Sequence, residues 1–179
     1  MNKTIVGIVA LFFVSWLVIY GFKGQFGSDS GGAWQEDITW SETDITKEQL
    51  ASVGKPVYIF FSTEWCTYCR KMKTETFTDP DIQNNLSNKF VSLYINPETS
   101  GTVRFSGEEM SYKDLTKKLG VTGYPTSAFY SDAGELIGVQ PGYLDTENLK
   151  QLTDYIGDGY YKDKTFQEFL SASNGGTLP

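Results

Sequence analysis

The sequence predicts an α/β domain, a three-layer sandwich around a central mixed β-sheet, preceded by one N-terminal transmembrane helix. Three observations carry that reading. From Val57 onward, short β-branched and aromatic runs alternate with helix-like segments, the pattern of a sheet covered on both faces. Two of the runs, Thr126 to Tyr130 and Leu136 to Gln140, are joined across Asp132-Ala133-Gly134, which adds an antiparallel hairpin. Ile5 to Phe22 is an uncharged, mostly apolar run of eighteen residues, roughly 27 Å long as a helix.

Each element has its own signal. Lys3 precedes the apolar run and Lys23 follows it, so charge alone barely orients the span. A cleaved signal peptide is the competing reading, but its apolar core would be shorter and end in small residues, whereas Trp16 to Phe22 is bulky. The expected organisation is a signal anchor over 1–23, a flexible linker over 24–33, a folded domain over 34–170 and a frayed tail over 171–179. The linker holds four glycines and two serines between Gly24 and Gly32. Thr46 to Val53 reads as a short helix capped by Asp44 or Thr46 and ended by Gly54. Val57 to Phe61, bounded by Gly54 and Pro56, reads as a buried strand. Asp79-Pro80 starts a helix whose apolar stripe is Ile82 and Leu86. Phe90 to Ile95 is a strand. The polar stretch from Asn96 to Met110, with Val103 and Phe105 in alternation, suggests a small hairpin. Ser111 and Asp114 cap a helix over Tyr112 to Leu119, closed by Gly120. Thr146 caps a last helix, Glu147 to Ile156, with Leu149, Leu152 and Ile156 inward. The aromatic tail from Gly157 packs back as far as about Leu170.

The totals exclude several classes. At 179 residues and 40% apolar content, the chain supports one domain with a real core. A net charge of −7 argues against a nucleic-acid partner. Without a single histidine, Ser-His and Cys-His hydrolase mechanisms are out. No cofactor is called for.

What remains is a pair of cysteines. Cys66 and Cys69 follow the Val57 to Phe61 strand after the break Ser62-Thr63-Glu64, and they are the chain's only two cysteines. Half of a zinc site is one reading, but the usual third and fourth ligands, cysteine or histidine, are missing from the chain, and no metal site is expected. A structural staple is another, although bridging residues three apart removes little unfolded-chain entropy. A reversible redox dithiol is the third, and it needs nothing the sequence lacks. A helix starting near Cys66 would turn its unpaired N–H groups toward a thiolate there. Arg70, one turn on, can add to that effect or simply belong to a solvated basic face.

Trp65-Cys66-Thr67-Tyr68-Cys69 directly after a strand resembles the Trp-Cys-x-x-Cys site of the thioredoxin superfamily. Gly123-Tyr124-Pro125-Thr126 resembles that family's cis-proline loop. The Cys-x-Tyr-Cys pattern, the Asn96–Met110 insertion, Pro141-Gly142-Tyr143-Leu144 and the Phe166–Leu170 segment are most similar to SoxW-type, extracytoplasmic, membrane-anchored members. The resemblance implies thiol–disulfide exchange: Cys66 attacks, Cys69 resolves, and the two pair as a disulfide when oxidised. It implies that Trp65, Tyr124 and Pro125 contact substrate, with the Tyr124 backbone open to an added strand. It also implies protein substrates bearing disulfides, a transmembrane thiol donor, and a lipid bilayer met through the N-terminal helix. The alternatives are a thioredoxin-like binding or sensing module without turnover, and a dithiol oxidase or isomerase. One position departs from the family: six residues before Cys66, where thioredoxins carry a buried aspartate, stands Phe60. Glu64, nearer in sequence, is expected in the turn and in solvent.

Overall fold

Five consecutive residues, Val57 to Phe61, are entirely buried, and a strand buried on both faces has to lie at the centre of a sheet. In the computed structural model, which describes residues 33–41, 44–45, 54–105 and 107–173, it does. In chain order the strands are β1 (Asp44–Ile45), β2 (Val57–Phe61), β3 (Val91–Ile95), β4 (Thr102–Phe105), β5 (Glu108–Ser111), β6 (Thr126–Tyr130) and β7 (Leu136–Pro141). The helices are α1 (Ala33–Glu36), α2 (Thr67–Lys71, continued by a π-helical turn Met72–Thr76), α3 (Pro80–Asn88), α4 (Tyr112–Lys118), α5 (Thr146–Gly157) and α6 (Phe166–Ser173).

The main sheet has the order β3-β2-β6-β7 and is mixed, as expected: β2 runs parallel to β3, antiparallel to β6, and β6 is antiparallel to β7. The period of two in β2 divides the core. Tyr58 and Phe60 point to the side of α2, α3 and α5, where Met72, Ile82, Leu86, Leu149 and Ile156 are buried. Val57, Ile59 and Phe61 point to the other side, against Val103, Phe105 and Leu115. The sandwich therefore has its three layers, but the third differs from a plain helical layer. The Asn96–Met110 insertion forms the expected hairpin, β4 with β5, and β1 joins β4 in parallel to complete a second, three-stranded sheet. Asp44 is thus a strand residue, not a helix cap. The outer edge of β3 is met by Trp40, which bridges Ser92, and by Ser41 N–H bonded to the Ser92 carbonyl at 2.7 Å. That contact keeps an exposed edge from offering itself to another chain.

Caps largely follow the sequence. Asp79 Oδ1 accepts from the amides of Asp81 and Ile82, and Ser111 Oγ from that of Asp114. At α5 the expectation is corrected by one residue: Asp145, not Thr146, is the cap, its Oδ1 accepting from Asn148 N–H at 2.9 Å. A carboxylate is the stronger acceptor at a positive helix end, so adjacent candidates resolve in its favour. Behind α5, Tyr155 packs on Phe166 and Phe169, so the tail returns to the domain and its helix continues to Ser173. Among the described residues no helix is long and apolar enough to cross a membrane. The expected span Ile5 to Phe22, the linker as far as residue 32, the Thr46–Val53 helix and the 174–179 end lie outside the described residues, and the linker's last residue, Ala33, already opens α1.

Candidate active site

The end of β2 delivers the dithiol. Ser62 N–H bonds the Ile95 carbonyl, which still belongs to the ladder, and Cys66 N–H then bonds the Thr63 carbonyl to close a turn over Glu64 and Trp65. Cys66 is the N-cap of α2, and the pair is a disulfide with Cα atoms 5.2 Å apart. Cys69 N–H points at Cys66 Sγ at 3.1 Å. A free donor of the first helical turn is therefore aimed at one sulfur only, the geometry that favours a thiolate there once the disulfide opens. Neither cysteine is widely open: Cys66 keeps 4% of its surface and Cys69 none. The small opening belongs to Cys66.

Around that opening the exposed face is aromatic. Trp65 and Tyr68 are 64% and 61% exposed, the two most exposed large hydrophobic residues described. Trp65 meets Tyr124 edge-on with centroids 6.0 Å apart, and its Nε1 donates to Glu98 Oε1 at 2.8 Å. Tyr68 meets Tyr143 at 6.1 Å, and Lys71 Nζ lies 4.8 Å from the Tyr143 ring centre. The Tyr124-Pro125 peptide is cis, as the sequence suggested. Among the described residues the Tyr124 amide and carbonyl have no hydrogen-bond partner, while the Pro125 carbonyl accepts from Gly142 N–H at 2.8 Å. Trp65, Cys66, Tyr124 and Pro125 therefore share one neighbourhood, and an open cleft of about 640 Å³ continues from Tyr124 along Pro97 to Ser100 and the first turns of α4.

Arg70 does not face the sulfurs freely. Its guanidinium donates to the Glu64 carbonyl at 2.9 Å and to Thr67 Oγ1 at 3.2 Å, bracing the turn. Glu64 is exposed, as expected, but not isolated, since Tyr94 Oη donates to its Oε1 at 3.4 Å and Lys73 Nζ lies 3.9 Å away. Phe60 is fully buried on the dithiol side of the sheet and packs edge-on against Phe77 at 4.8 Å. No carboxylate lies in that position. Glu98 carries no site role in the sequence reading, where Tyr68 and Tyr143 enter only as parts of the motifs that carry the family resemblance. Glu98 had only its place in the insertion as a signal, and Tyr143 only its place after Pro141-Gly142.

A four-stranded mixed sheet that presents a Cys-x-x-Cys disulfide at a helix start opposite a cis-proline defines a thioredoxin-fold dithiol protein. Comparison with known proteins agrees. A thioredoxin-like domain model matches residues 44–157, and the chain belongs to that family. Fold, family and dithiol together supply what thiol–disulfide exchange requires. Among relatives, the thiol:disulfide interchange protein DsbD of Pectobacterium atrosepticum is 34% identical over 103 residues, 56% of this chain and 16% of that protein. The DsbD of Photorhabdus laumondii is 31% identical over 119 residues, 65% of this chain and 19% of that protein. The chain thus spans less than a fifth of either relative. A thioredoxin-fold protein of Helicobacter pylori superposes with a TM-score of 0.67 at 22% identity, covering 82% of this chain and 92% of that one, a likeness of fold.

Proposed function

We propose that the protein is a membrane-anchored, extracytoplasmic reductase of protein disulfides. One observation supports this most directly: the first-turn N–H of Cys69 is directed at Cys66 Sγ, and Cys66 alone retains an opening to solvent. Cys66 is the nucleophile. Its thiolate attacks a substrate disulfide, one substrate sulfur leaves as a thiol, and a mixed disulfide forms; Cys69 then attacks Cys66 and releases the second sulfur. An ordinary thiol with pKa near 8.5 is only about 3% thiolate at pH 7, and a pKa near 7 makes it about half. Trp65 shields the sulfur, and the unpaired Tyr124 backbone beside Pro125 pairs with the substrate strand.

Place and direction are further parts of the proposal. Ile5 to Phe22 anchors the chain, 24–33 tethers the domain, and 34–170 acts outside the cytoplasm, in the manner of the SoxW-type proteins it resembles. Thr67-Tyr68 between the cysteines is uncharged, which argues against an extreme, oxidising potential and for one between about −200 and −270 mV. Such a reductase has to be recharged by a transmembrane thiol donor, and the interchange named in the DsbD relatives is the class of chemistry it would join. A non-catalytic binding module is the second reading, favoured by Phe60, because no carboxylate among the described residues is buried beside Cys69 to help deprotonate it.

Trapping decides the roles. Cys69→Ser should accumulate mixed disulfides on Cys66, and Cys66→Ser should accumulate none; the reverse pattern overturns the assignment. Turnover of a small disulfide with a dithiol donor separates enzyme from binder. A potential above roughly −150 mV against glutathione reverses the direction. Protein that resists carbonate washing but yields its domain to protease supports the anchor, and a soluble form beginning after Phe22 removes it.

A further inference from the structure

On the core side of the dithiol, where the family's carboxylate position is filled by Phe60, the structure holds a cation. Lys73 follows Cys69 by four residues, in the π-helical turn that continues α2, and its ring partners Trp34 and Tyr94 belong to the same core cluster as both cysteines. Its Nζ sits 4.8 Å from the Trp34 ring centre and 4.9 Å from that of Tyr94, and donates to Tyr94 Oη at 3.2 Å. Glu64 Oε1, on the turn that leads into Cys66, is 3.9 Å away. The pair is lopsided: the Lys73 side chain is 12% exposed and that of Glu64 79%. Water screens the carboxylate, while the ammonium acts through aromatic walls, where a charge reaches further.

The other groups around it do not cancel that charge. Trp34, Phe60 and Phe77 are neutral. Tyr94, on β3, stays a phenol, since burial, with Glu64 adding to it, pushes its pKa up to about 12. Arg70 is turned to the Glu64 carbonyl and Thr67, Lys71 to Tyr143 and Glu75, and Glu98 to Trp65. Burial lowers the pKa of Lys73 itself and Glu64 works against that. Yet the two ring faces and the carboxylate are contacts that favour its charged form.

We propose that Lys73 is a positioning residue that sets the redox poise of the Cys66–Cys69 pair, its ammonium stabilising the thiolate that appears when the disulfide is reduced. The inference rests on the thiol–disulfide exchange reading. In that step a dithiol donor gives two electrons, the Cys66–Cys69 bond breaks, one sulfur becomes a thiolate and the other a thiol. The donor becomes a disulfide, and of its two protons one stays on the thiol and one goes to solvent. A thiolate formed against aromatic walls alone would be disfavoured; a cation held in the same cluster offsets part of that. Lys73 thus supplies from behind what a charged residue between the cysteines would supply from in front.

Two variants of the full chain test it. Lys73→Met keeps the stem against Trp34 and removes the charge; Lys73→Arg keeps the charge. In Lys73→Met the pH profile of Cys66 alkylation should move to higher pH, with the rate at pH 7 falling on the order of fivefold. The equilibrium with glutathione should move by a similar factor toward the disulfide, and Lys73→Arg should stay within about twofold of the parent in both. Glu64→Gln, which removes the opposing charge and keeps an oxygen for the Tyr94 hydroxyl, should shift the alkylation profile to lower pH, and it carries the test if Lys73→Met fails to fold. A folded Lys73→Met with an unchanged profile overturns the proposal. So does Lys73→Arg shifted as far as Lys73→Met, or an unmoved Glu64→Gln. Should the parent protein exchange with no disulfide at all, the functional reading falls, while the alkylation profile still reports on Lys73.

Discussion

The dithiol stands between two aromatic clusters that share a composition and little else. In front, Trp65, Tyr68, Tyr124 and Tyr143 form an open collar of two ring pairs, one edge-on and one tilted, with Trp65 held by Glu98 and Tyr143 by Glu75. Behind, Trp34, Trp40, Tyr58, Phe60, Phe77 and Tyr94 form a box of interlocking rings with centroids 4.8 to 6.4 Å apart. Buried rings contribute through area removed from water and through ring–ring geometry. Exposed rings anchored at one end lose little entropy when a partner covers them, which is what a contact surface needs. The collar is therefore matched to recognition and the box to stability. Lys73 is seated in the wall of the box.

That division can be broken most visibly at Phe77. It is fully buried and touches Trp34, Trp40 and Phe60, so Phe77→Ala should cost about 3–5 kcal/mol of unfolding free energy. Trp65→Ala, measured in the same denaturant titration, should cost less than about 1 kcal/mol despite removing a larger ring. Equal losses would abolish the distinction. Activity should show the opposite order. Trp65→Ala combined with Tyr68→Ala should slow reduction of a protein disulfide on the order of tenfold while leaving a small disulfide within about twofold. A matching loss on both substrates would mean that the collar shapes the sulfur rather than the partner.

A polar contact away from both clusters calibrates the scale. Asp154 on α5 accepts from Asn85, Lys89 and Lys150 at 2.9, 3.1 and 2.7 Å. Burial opposes ionisation of Asp154, but these donors outweigh it, and its pKa lies below the ordinary carboxylate value. A depressed folded-state pKa stabilises the fold above the ordinary value, and that stability drains away as pH falls through the folded one. Asp154→Asn should therefore cost about 1–2 kcal/mol at pH 7, with the gap to the parent closing as pH falls below the ordinary carboxylate range. A gap constant with pH would assign the effect to packing. The smallest effect is one of position: Tyr94 in the box and Tyr130, both pushed up to about 12 by burial first of all, should stay un-ionised in a spectrophotometric titration to pH 10.5. Early ionisation of Tyr94 would show the box to be wetter than its packing implies, and early ionisation of Tyr130 the same of the opposite face of the sheet.

The family resemblance placed Tyr124-Pro125 opposite the dithiol, while local signals in the chain determined the strand Val57–Phe61, the Asp79 and Ser111 caps, the β6–β7 hairpin, the Gly123-Tyr124-Pro125 turn and the Cys-x-x-Cys pair. Each depends on neighbours within a few residues: a run of β-branched and aromatic side chains, a capping residue, a Gly-x-Pro turn, two cysteines three apart. The absence of an aspartate at Phe60 was equally legible, because a missing residue needs no contact to be seen. Tertiary structure alone decided what replaces it. Trp34 reaches Phe77 across more than forty residues, Trp65 finds Glu98, and Tyr68 finds Tyr143, pairings with no period along the chain. Asp44 reads locally as a helix cap, yet Arg104 pairs with it as a strand, since a ladder partner outweighs a local preference. Lys73 in sequence is one of three basic residues on a helix; whether such a charge is solvated or walled in by rings depends on which elements pack over it, and that is set by the whole fold.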